Sequence, residues 1–316
     1  MIETESIGIR SLATALPPRF AEVETLRTLS SAATLRGFGF PGAWVDGDVP
    51  RLATAAARKA ADGAVGEIDV LLWASALAGG HEYRSGSDAG KNGVLHRFCY
   101  PGSWLQEELG LDQATVSGVA QQGCAGMFSA MRQARALLVA EPAISNVLCV
   151  GADALPPDAE RELLYNVISD AGCACVFSRE DLLYRWIGYH QVSRGYYWDV
   201  PAKQSEIIAA YFPTAALTIR GVLKKTDLRA DEIDLVIPTG VNRSSWPILM
   251  RLCGIPEERL YQPEKSFGHT IAADSMLMLE EARDRGALRP GMKLLLFAYG
   301  FGSSWCALIL ETTERI

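Results

Sequence analysis

Gln121-Gln122-Gly123-Cys124-Ala125-Gly126-Met127 sets one cysteine among small residues immediately ahead of a helical pattern. Downstream, Met127, Phe128, Met131, Ala134, Leu138 and Val139 recur at helical spacing, with Arg132, Gln133 and Arg135 between them. Cys124 is thereby placed at a helix N-terminus, where unpaired N–H groups and the positive end of the helix dipole stabilise a thiolate and make the sulfur a nucleophile. Gly123, Ala125 and Gly126 leave room for a substrate to reach it. Free cysteines are also common as small packing residues, so the choice between chemistry and packing falls to the rest of the chain.

The second half of the chain repeats the order of the first. The helix and strand of Thr54 to Trp73, containing Glu67-Ile68-Asp69-Val70, return as Ala215 to Pro238, containing Glu232-Ile233-Asp234-Leu235. The Cys124 turn, its helix and the strand Asn146 to Gly151 return as Gly268-His269-Thr270, a helix over Ile271 to Arg283 and the strand Lys293 to Ala298. Asp170 to Phe177 returns as Ser304 to Leu310. Two βαβ-rich halves related by duplication, divided here as 1–155 and 156–316, predict layered α/β sheets with buried helices between them. On that reading Cys124 and His269 occupy equivalent helix N-termini, one per half.

With 316 residues, 49% hydrophobic and 21% charged, the chain can bury a large core in one large or two fused domains. Its formal net charge of −7 argues against a nucleic-acid-binding face, which needs clustered Lys and Arg to neutralise phosphates. No uninterrupted apolar run approaches the roughly 18 residues that cross a bilayer, and no basic-then-apolar leader opens the sequence, so a cytoplasmic protein away from membranes is expected. Seven cysteines, an odd number without framework spacing, read as reduced thiols. Cys149, Cys173, Cys175 and Cys306 lie inside apolar strand-like runs, where packing accounts for them.

Ser6 to Leu16 alternates as a strand and stops at Pro17-Pro18, and a short helix is expected over Ala21 to Leu29. Gly37-Phe38-Gly39-Phe40-Pro41-Gly42 fits the dinucleotide-binding pattern letter for letter, but no strand precedes it and Pro41 interrupts it, which makes it a loop. Arg51 to Val65 reads as a helix, Ile68 to Trp73 as a buried strand, Trp104 to Leu109 as a short helix and Thr115 to Val119 as a strand leading into the cysteine turn. Residues 78–103, rich in Gly, Ser and charge, read as a functional or interface loop. His81, His96 and Cys99 within it have no second ligand pair at metal-binding spacing, so no metal is expected.

These features resemble the thiolase superfamily and, within it, enzymes of the ketoacyl synthase III type. Cys124-Ala125-Gly126 is similar to that family's Cys-Ala-Gly turn, Val150-Gly151-Ala152-Asp153 to its Val-Gly-Ser/Ala-Asp/Glu strand end, and Ser169-Asp170-Ala171-Gly172 stands where it has Gly-Asp-Gly-Ala. Gly300-Phe301-Gly302-Ser303-Ser304-Trp305 resembles its closing Gly-rich loop. The resemblance implies a thiolase-like duplicated fold and an acyl-S-Cys124 intermediate drawn from an acyl-CoA or acyl-carrier-protein thioester, with no other cofactor. It also implies an oxyanion hole made by the N–H groups of Cys124 and Gly302, and a dimer, either of two copies or with a close paralogue.

Two positions depart from the family. Its Pro-His-Gln-Ala-Asn stands here as Pro238-Thr239-Gly240-Val241-Asn242, and its Gly-Asn-Thr-Ser-Ala-Ala as Gly268-His269-Thr270-Ile271-Ala272-Ala273. The family's Cys-His-Asn therefore reads Cys124-Thr239-His269, an arrangement that also resembles a catalytic subunit of the alkylquinolone-forming synthases. A histidine beside the thiol can take its proton and serve later as acid or base, so acyl loading is expected to survive. Decarboxylative condensation loses an imidazole donor, because a threonine hydroxyl is a weaker partner for an enolate. Asn242 and Arg243 are expected at the substrate, and Arg220, Lys224, Lys225, Arg243 and Arg251 either meet an acidic carrier protein or are simply solvated. The expected activity is acyl transfer to a carbon, nitrogen or oxygen acceptor in fatty-acid or polyketide-type specialised metabolism. The rivals are a non-catalytic partner subunit and a thioesterase.

Overall fold

The computed structural model describes residues 6–62, 68–77, 98–301 and 303–316. In chain order its elements are β1 (Gly8–Ala15), β2 (Arg19–Glu22), α1 (Ala32–Gly37), β3 (Gly42–Val45), α2 (Val49–Ala61), β4 (Val70–Ala74), α3 (Pro101–Glu108), β5 (Thr115–Val119), α4 (Gly126–Ala140) and β6 (Val147–Asp153). There follow β7 (Glu162–Leu163), β8 (Asn166–Val167), β9 (Ala171–Ser178), β10 (Tyr184–Ser193), α5 (Gln204–Thr226), β11 (Leu235–Ile237), α6 (Ser245–Cys253), α7 (Asp274–Asp284), β12 (Lys293–Gly300) and β13 (Ser304–Thr312).

Nine strands form one mixed sheet in the order β11-β12-β13-β10-β1-β9-β6-β4-β5. Among the described residues its two halves join between β1 and β10 through two residue pairs, Gly8 with Arg185 and Ile9 with Tyr184. β9 pairs with both β1 and β6, which joins β1 to the strands β6, β4 and β5.

Strand alternation explains the layers. In β6, Val147 and Cys149 point into the central core while Leu148 and Val150 point to the face covered by α2. In β12, Leu294, Leu296 and Ala298 point to the same central core, and Leu295 and Phe297 to the face covered by α5 and α6. A period of two that is apolar on both faces is the mark of a strand buried on both sides. The central core holds α4 and α7, whose Met127, Met131, Ala134, Met276 and Leu279 are fully buried. The result is a thiolase-like sequence of layers: outer helix, sheet, paired inner helices, sheet, outer helices. Cys149, Cys173, Cys175 and Cys306 are buried within it, as their apolar surroundings predict.

Residues Ala21 to Leu29 do not form the expected helix. Arg19–Glu22 pairs antiparallel with β3, which takes up its backbone groups, and Val23–Thr25 is a single 3-10 turn. The Gly37–Gly42 stretch is the link between α1 and β3, with Gly39 at φ 95°. α5 begins eleven residues before Ala215, the start read from the sequence, and carries Pro213 inside it. At 23 residues it is long and apolar enough to cross a bilayer by composition. Its buried Ile207, Ala215, Ala216, Ile219, Val222 and Leu223 instead lie on β10 and β13, as in a helix packed on a sheet.

Candidate active site

Cys124 lies in a single 3-10 turn, Gly123–Ala125, that feeds directly into α4. Gly123 has φ 50°, and a Cβ there would lie 2.5 Å from the backbone N and O of Phe301. Only glycine lets the cysteine turn and the β12–β13 turn pack this closely. Below the turn, the Gln122 Oε1 accepts from Ser129 Oγ at 3.1 Å and from Gln191 Nε2 at 3.0 Å, which anchors the turn to α4 and β10.

His269 arrives from the other half of the chain. Its N–H donates to the Val167 carbonyl at 2.8 Å and its carbonyl accepts from the Ser169 N–H at 2.9 Å, a one-residue parallel bridge to Ile168. Gly268, at φ 68°, turns the chain into this bridge where a Cβ would meet Ser169 Oγ. A 3-10 turn, Ile271–Ala273, then leads into α7.

The side chains converge. Cys124 Sγ is 3.3 Å from His269 Nε2, and His269 Nδ1 is 2.6 Å from Asp274 Oδ2. Asp274 is the first residue of α7 and is buried. Its other oxygen accepts from the Thr270 N–H at 2.5 Å and from the Thr270 hydroxyl at 2.8 Å. Both oxygens are thus engaged, and the helix N-terminus favours the carboxylate. Nδ1–H donates to Asp274, which leaves Nε2 facing the sulfur. Burial opposes a charged imidazolium, but the Asp274 carboxylate and the Cys124 sulfur outweigh it, and His269 keeps its proton well above the ordinary histidine range. The spacing suits a nucleophile, a base and a group that orients the base, the geometry by which a thiol can be activated in covalent catalysis.

A cavity of about 210 Å³ opens onto this cluster. Its walls are mostly apolar, with Leu163, Ile207, Ile208, Tyr211, Phe212 and Phe301 among them. Thr239 and Asn242 line it. Asn242 is partly committed to the loop: its N–H donates to Asn166 Oδ1 at 2.8 Å and its Oδ1 accepts from the Ser244 N–H at 2.9 Å. Arg243 is not brought to this cavity. Its N–H donates to the Phe38 carbonyl, and its side chain lies against Gly39 and lines a neighbouring cavity with Lys265. Gly302 lies outside the described residues, as do His81, His96 and most of the 78–103 loop. Of the basic residues considered for a carrier protein, Arg220 donates to the Leu252 carbonyl and Arg251 pairs with Glu257 at 3.1 Å.

Two other motif residues carry structure. Asp170 is buried, receives both Nη atoms of Arg161 at 2.8 and 3.1 Å, and accepts from the Gly47 and Leu155 N–H groups. Asp153 accepts from Ser75 Oγ and the Ala76 and Leu77 N–H groups, and burial raises its pKa. Asp274 escaped the sequence reading, although an acidic residue opening a helix five positions after His269 is the signal that points to it.

Known proteins share this chain's family and fold. Residues 120–195 match the family described as 3-oxoacyl-(acyl-carrier-protein) synthase III, and residues 223–312 match that family's C-terminal part. A beta-ketoacyl-(acyl-carrier-protein) synthase III of Nitratidesulfovibrio vulgaris is 38% identical over 90 residues, 28% of this chain and 27% of that protein. One from Campylobacter jejuni subsp. doylei is 25% identical over 207 residues, 60% of this chain and 63% of that protein. The matched regions thus span under two thirds of these relatives' own length. Among solved structures, ChlB3, an acyltransferase, superposes with a TM-score of 0.81 at 21% identity over 98% of both chains. The 3-oxoacyl-(acyl-carrier-protein) synthase III of Aquifex aeolicus gives 0.81 at 21% identity over 96% of this chain and 99% of its own. Both share its fold. With the two halves of one family matched over just over half of its residues, this chain belongs to the ketoacyl synthase III-like branch of the thiolase superfamily.

Proposed function

We propose that the chain is an acyltransferase of the ketoacyl synthase III type that works through an acyl-S-Cys124 intermediate. The observation that carries this is the relay from Cys124 through His269 to Asp274, with distances of 3.3 and 2.6 Å, at the end of an apolar cavity. In the loading step the Cys124 sulfur attacks the carbonyl of an acyl-CoA or acyl-carrier-protein thioester. A C–S bond forms, the carbonyl pair moves to oxygen, and its return expels the donor thiolate, which takes the proton from His269. In the transfer step His269 removes a proton from the acceptor, the acceptor attacks the acyl carbon, and Cys124 leaves as the thiolate. Asp274 orients the imidazole and balances its charge through both steps. Backbone N–H groups of the cysteine turn and of residue 302 are expected to hold the carbonyl oxygen.

Thr239, in place of an imidazole, favours transfer to a nitrogen or oxygen acceptor over decarboxylative condensation. The edge strand β5, largely exposed, supports a dimer in which a second copy or a paralogue extends the sheet. The test is intact-protein mass spectrometry after incubation with acyl-CoA and acyl-carrier thioesters of graded chain length. One acyl mass should appear on the wild type, map to Cys124, and leave when the acceptor is supplied. Loss of the acyl group to water at the same rate without acceptor would make the protein a thioesterase. No acylation by any donor would favour a partner subunit.

A further inference from the structure

Arg243 and Lys265 stand outside the acyl cavity, and both line another one. This second cavity, of about 270 Å³, lies between the link from α1 to β3, the loop after β11 and the loop before α7. Phe40, Trp246, Leu260, Phe267 and Met278 give it apolar walls. Arg243 and Lys265 are its charged residues, and among the described residues no aspartate or glutamate lines it.

Arg243 is fixed in place without being paired. Its N–H donates to the Phe38 carbonyl at 3.1 Å, and its Cγ, Cδ and Nε lie over Gly39, where a Cβ would stand 2.5 to 2.9 Å from them. Gly39, at φ 95°, thus makes room for the arginine stem at the cavity wall. Neither the guanidinium nor the Lys265 ammonium has a hydrogen bond or ion pair among the described residues. Glu264, next to Lys265 in the chain, pairs instead with Arg285 at 2.7 Å. An exposed cation alone in water holds an anion weakly. Here two uncompensated cations border one concave, mostly apolar space, on a chain whose net charge is −7. Apolar walls with a few polar groups to fix one end are the makeup of a small-ligand pocket.

We propose that this second cavity binds a small organic anion, with its carboxylate or phosphate on Arg243 and Lys265 and its apolar body against the aromatic walls. The site is distinct from the acyl cavity but shares a wall with it. Thr239 and Val241 line both, and Gly268 lines this one while His269, next in the chain, lines the other. The bound anion therefore sits across that wall from the Cys124–His269 cluster. The inference concerns binding alone and asks nothing of the sulfur.

Isothermal titration calorimetry with 3-phenylpropionate, phenyl phosphate and the neutral 3-phenylpropionamide tests it on the whole chain. Both anions should bind at a single site, and the amide about 10-fold more weakly or worse, the worth of one charge-assisted hydrogen bond. Arg243→Gln and Lys265→Gln should each weaken the anions by a similar factor and leave the amide and the melting temperature unchanged. Both side chains are exposed, and Arg243→Gln keeps the backbone bond to Phe38, so the fold is retained. Cys124→Ala should bind the anions as the wild type does, which keeps the result independent of whether any thioester acylates the protein. Equal affinity for acid and amide, anion affinity that survives both substitutions, or no saturable binding of either anion at millimolar concentration would each overturn the inference. Displacement of the anions by free CoA would overturn it too, because the two cations would then serve the phosphates of an acyl donor.

Discussion

The two helix N-termini that meet in the centre of the molecule are built alike and loaded differently. Each follows a left-handed glycine, Gly123 or Gly268, and a 3-10 turn, and each leads into a buried inner helix. At the first, the positive end of α4 stands behind a thiol. At the second, the positive end of α7 stands behind the carboxylate of Asp274, while His269 sits five residues earlier, tied to Ile168 by its backbone. Both helix ends favour an anion. The imidazole between them lies against the Asp274 carboxylate and the Cys124 sulfur and stays protonated well above its usual range. Duplication supplied two anion-stabilising ends, and the difference in what they carry turned the pair into a relay.

Removing the sulfur should break the comparison most completely. Cys124→Ala is expected to show no acyl adduct with any thioester donor, whereas Cys173→Ala, in the core, should acylate normally. An adduct that persists in Cys124→Ala would end the assignment of the first helix end as the nucleophile's seat.

Next in size is the base. His269→Ala should slow both acylation and transfer by about 10² to 10⁴, the span usual for a positioned general base. Rapid-quench mass spectrometry separates the two steps. Wild-type rates in the variant would reduce His269 to a turn residue and the second helix end to architecture.

Asp274→Asn should act through His269 and cost less, about 10- to 10³-fold in acylation. It also carries a stability signature. The folded-state pKa of His269 is raised, so the stability gained from its pairing is fully present below the unfolded histidine value of about 6.5 and is lost as pH rises through the higher folded value. In urea titrations the gap between wild type and Asp274→Asn should be widest between about pH 5 and 6.5 and should narrow as pH rises. A gap that widens with pH would contradict the charged pair.

How far these ends were legible in the sequence depends on what each residue needed. Cys124 stood out because small residues and a helical period flank it, and His269 because the repeat set it opposite Cys124. The layered fold was readable for the same reason, since period-two apolar runs and inner helices recur in both halves. Asp274 was not read, because an acid opening a helix looks like an ordinary dipole partner until the 3-10 turn folds it back onto His269. Arg243 follows Asn242 directly, yet the two residues line different cavities, a divergence that adjacency in sequence does not reveal. The helix expected at Ala21 lost to pairing with β3, where Ala21 stands opposite Ala43, a partner that local periodicity cannot see.

The smallest effect is expected at Thr239. It lines the cavity but forms no hydrogen bond with either Cys124 or His269, and its best-defined bond is through its carbonyl, which accepts from the Trp246 indole at 3.4 Å. Thr239→Ala should therefore change acylation by less than about 10-fold. Its interest lies in the reverse experiment. Thr239 borders both cavities, so a larger side chain has space to enter, and Asn at position 269 could still donate to Asp274. Thr239→His combined with His269→Asn recreates the order of a condensing enzyme: an imidazole supported by the first cavity wall and an amide at the second helix end. If the two helix ends set the chemistry as argued, this double variant should lose acyl transfer to nitrogen or oxygen acceptors and raise malonyl-thioester decarboxylation above the wild-type level, with acylation still at Cys124. Should the double variant acylate but decarboxylate no faster than wild type, what separates this chain from a condensing enzyme lies in the cavity walls and not in the residue carried by the second helix end.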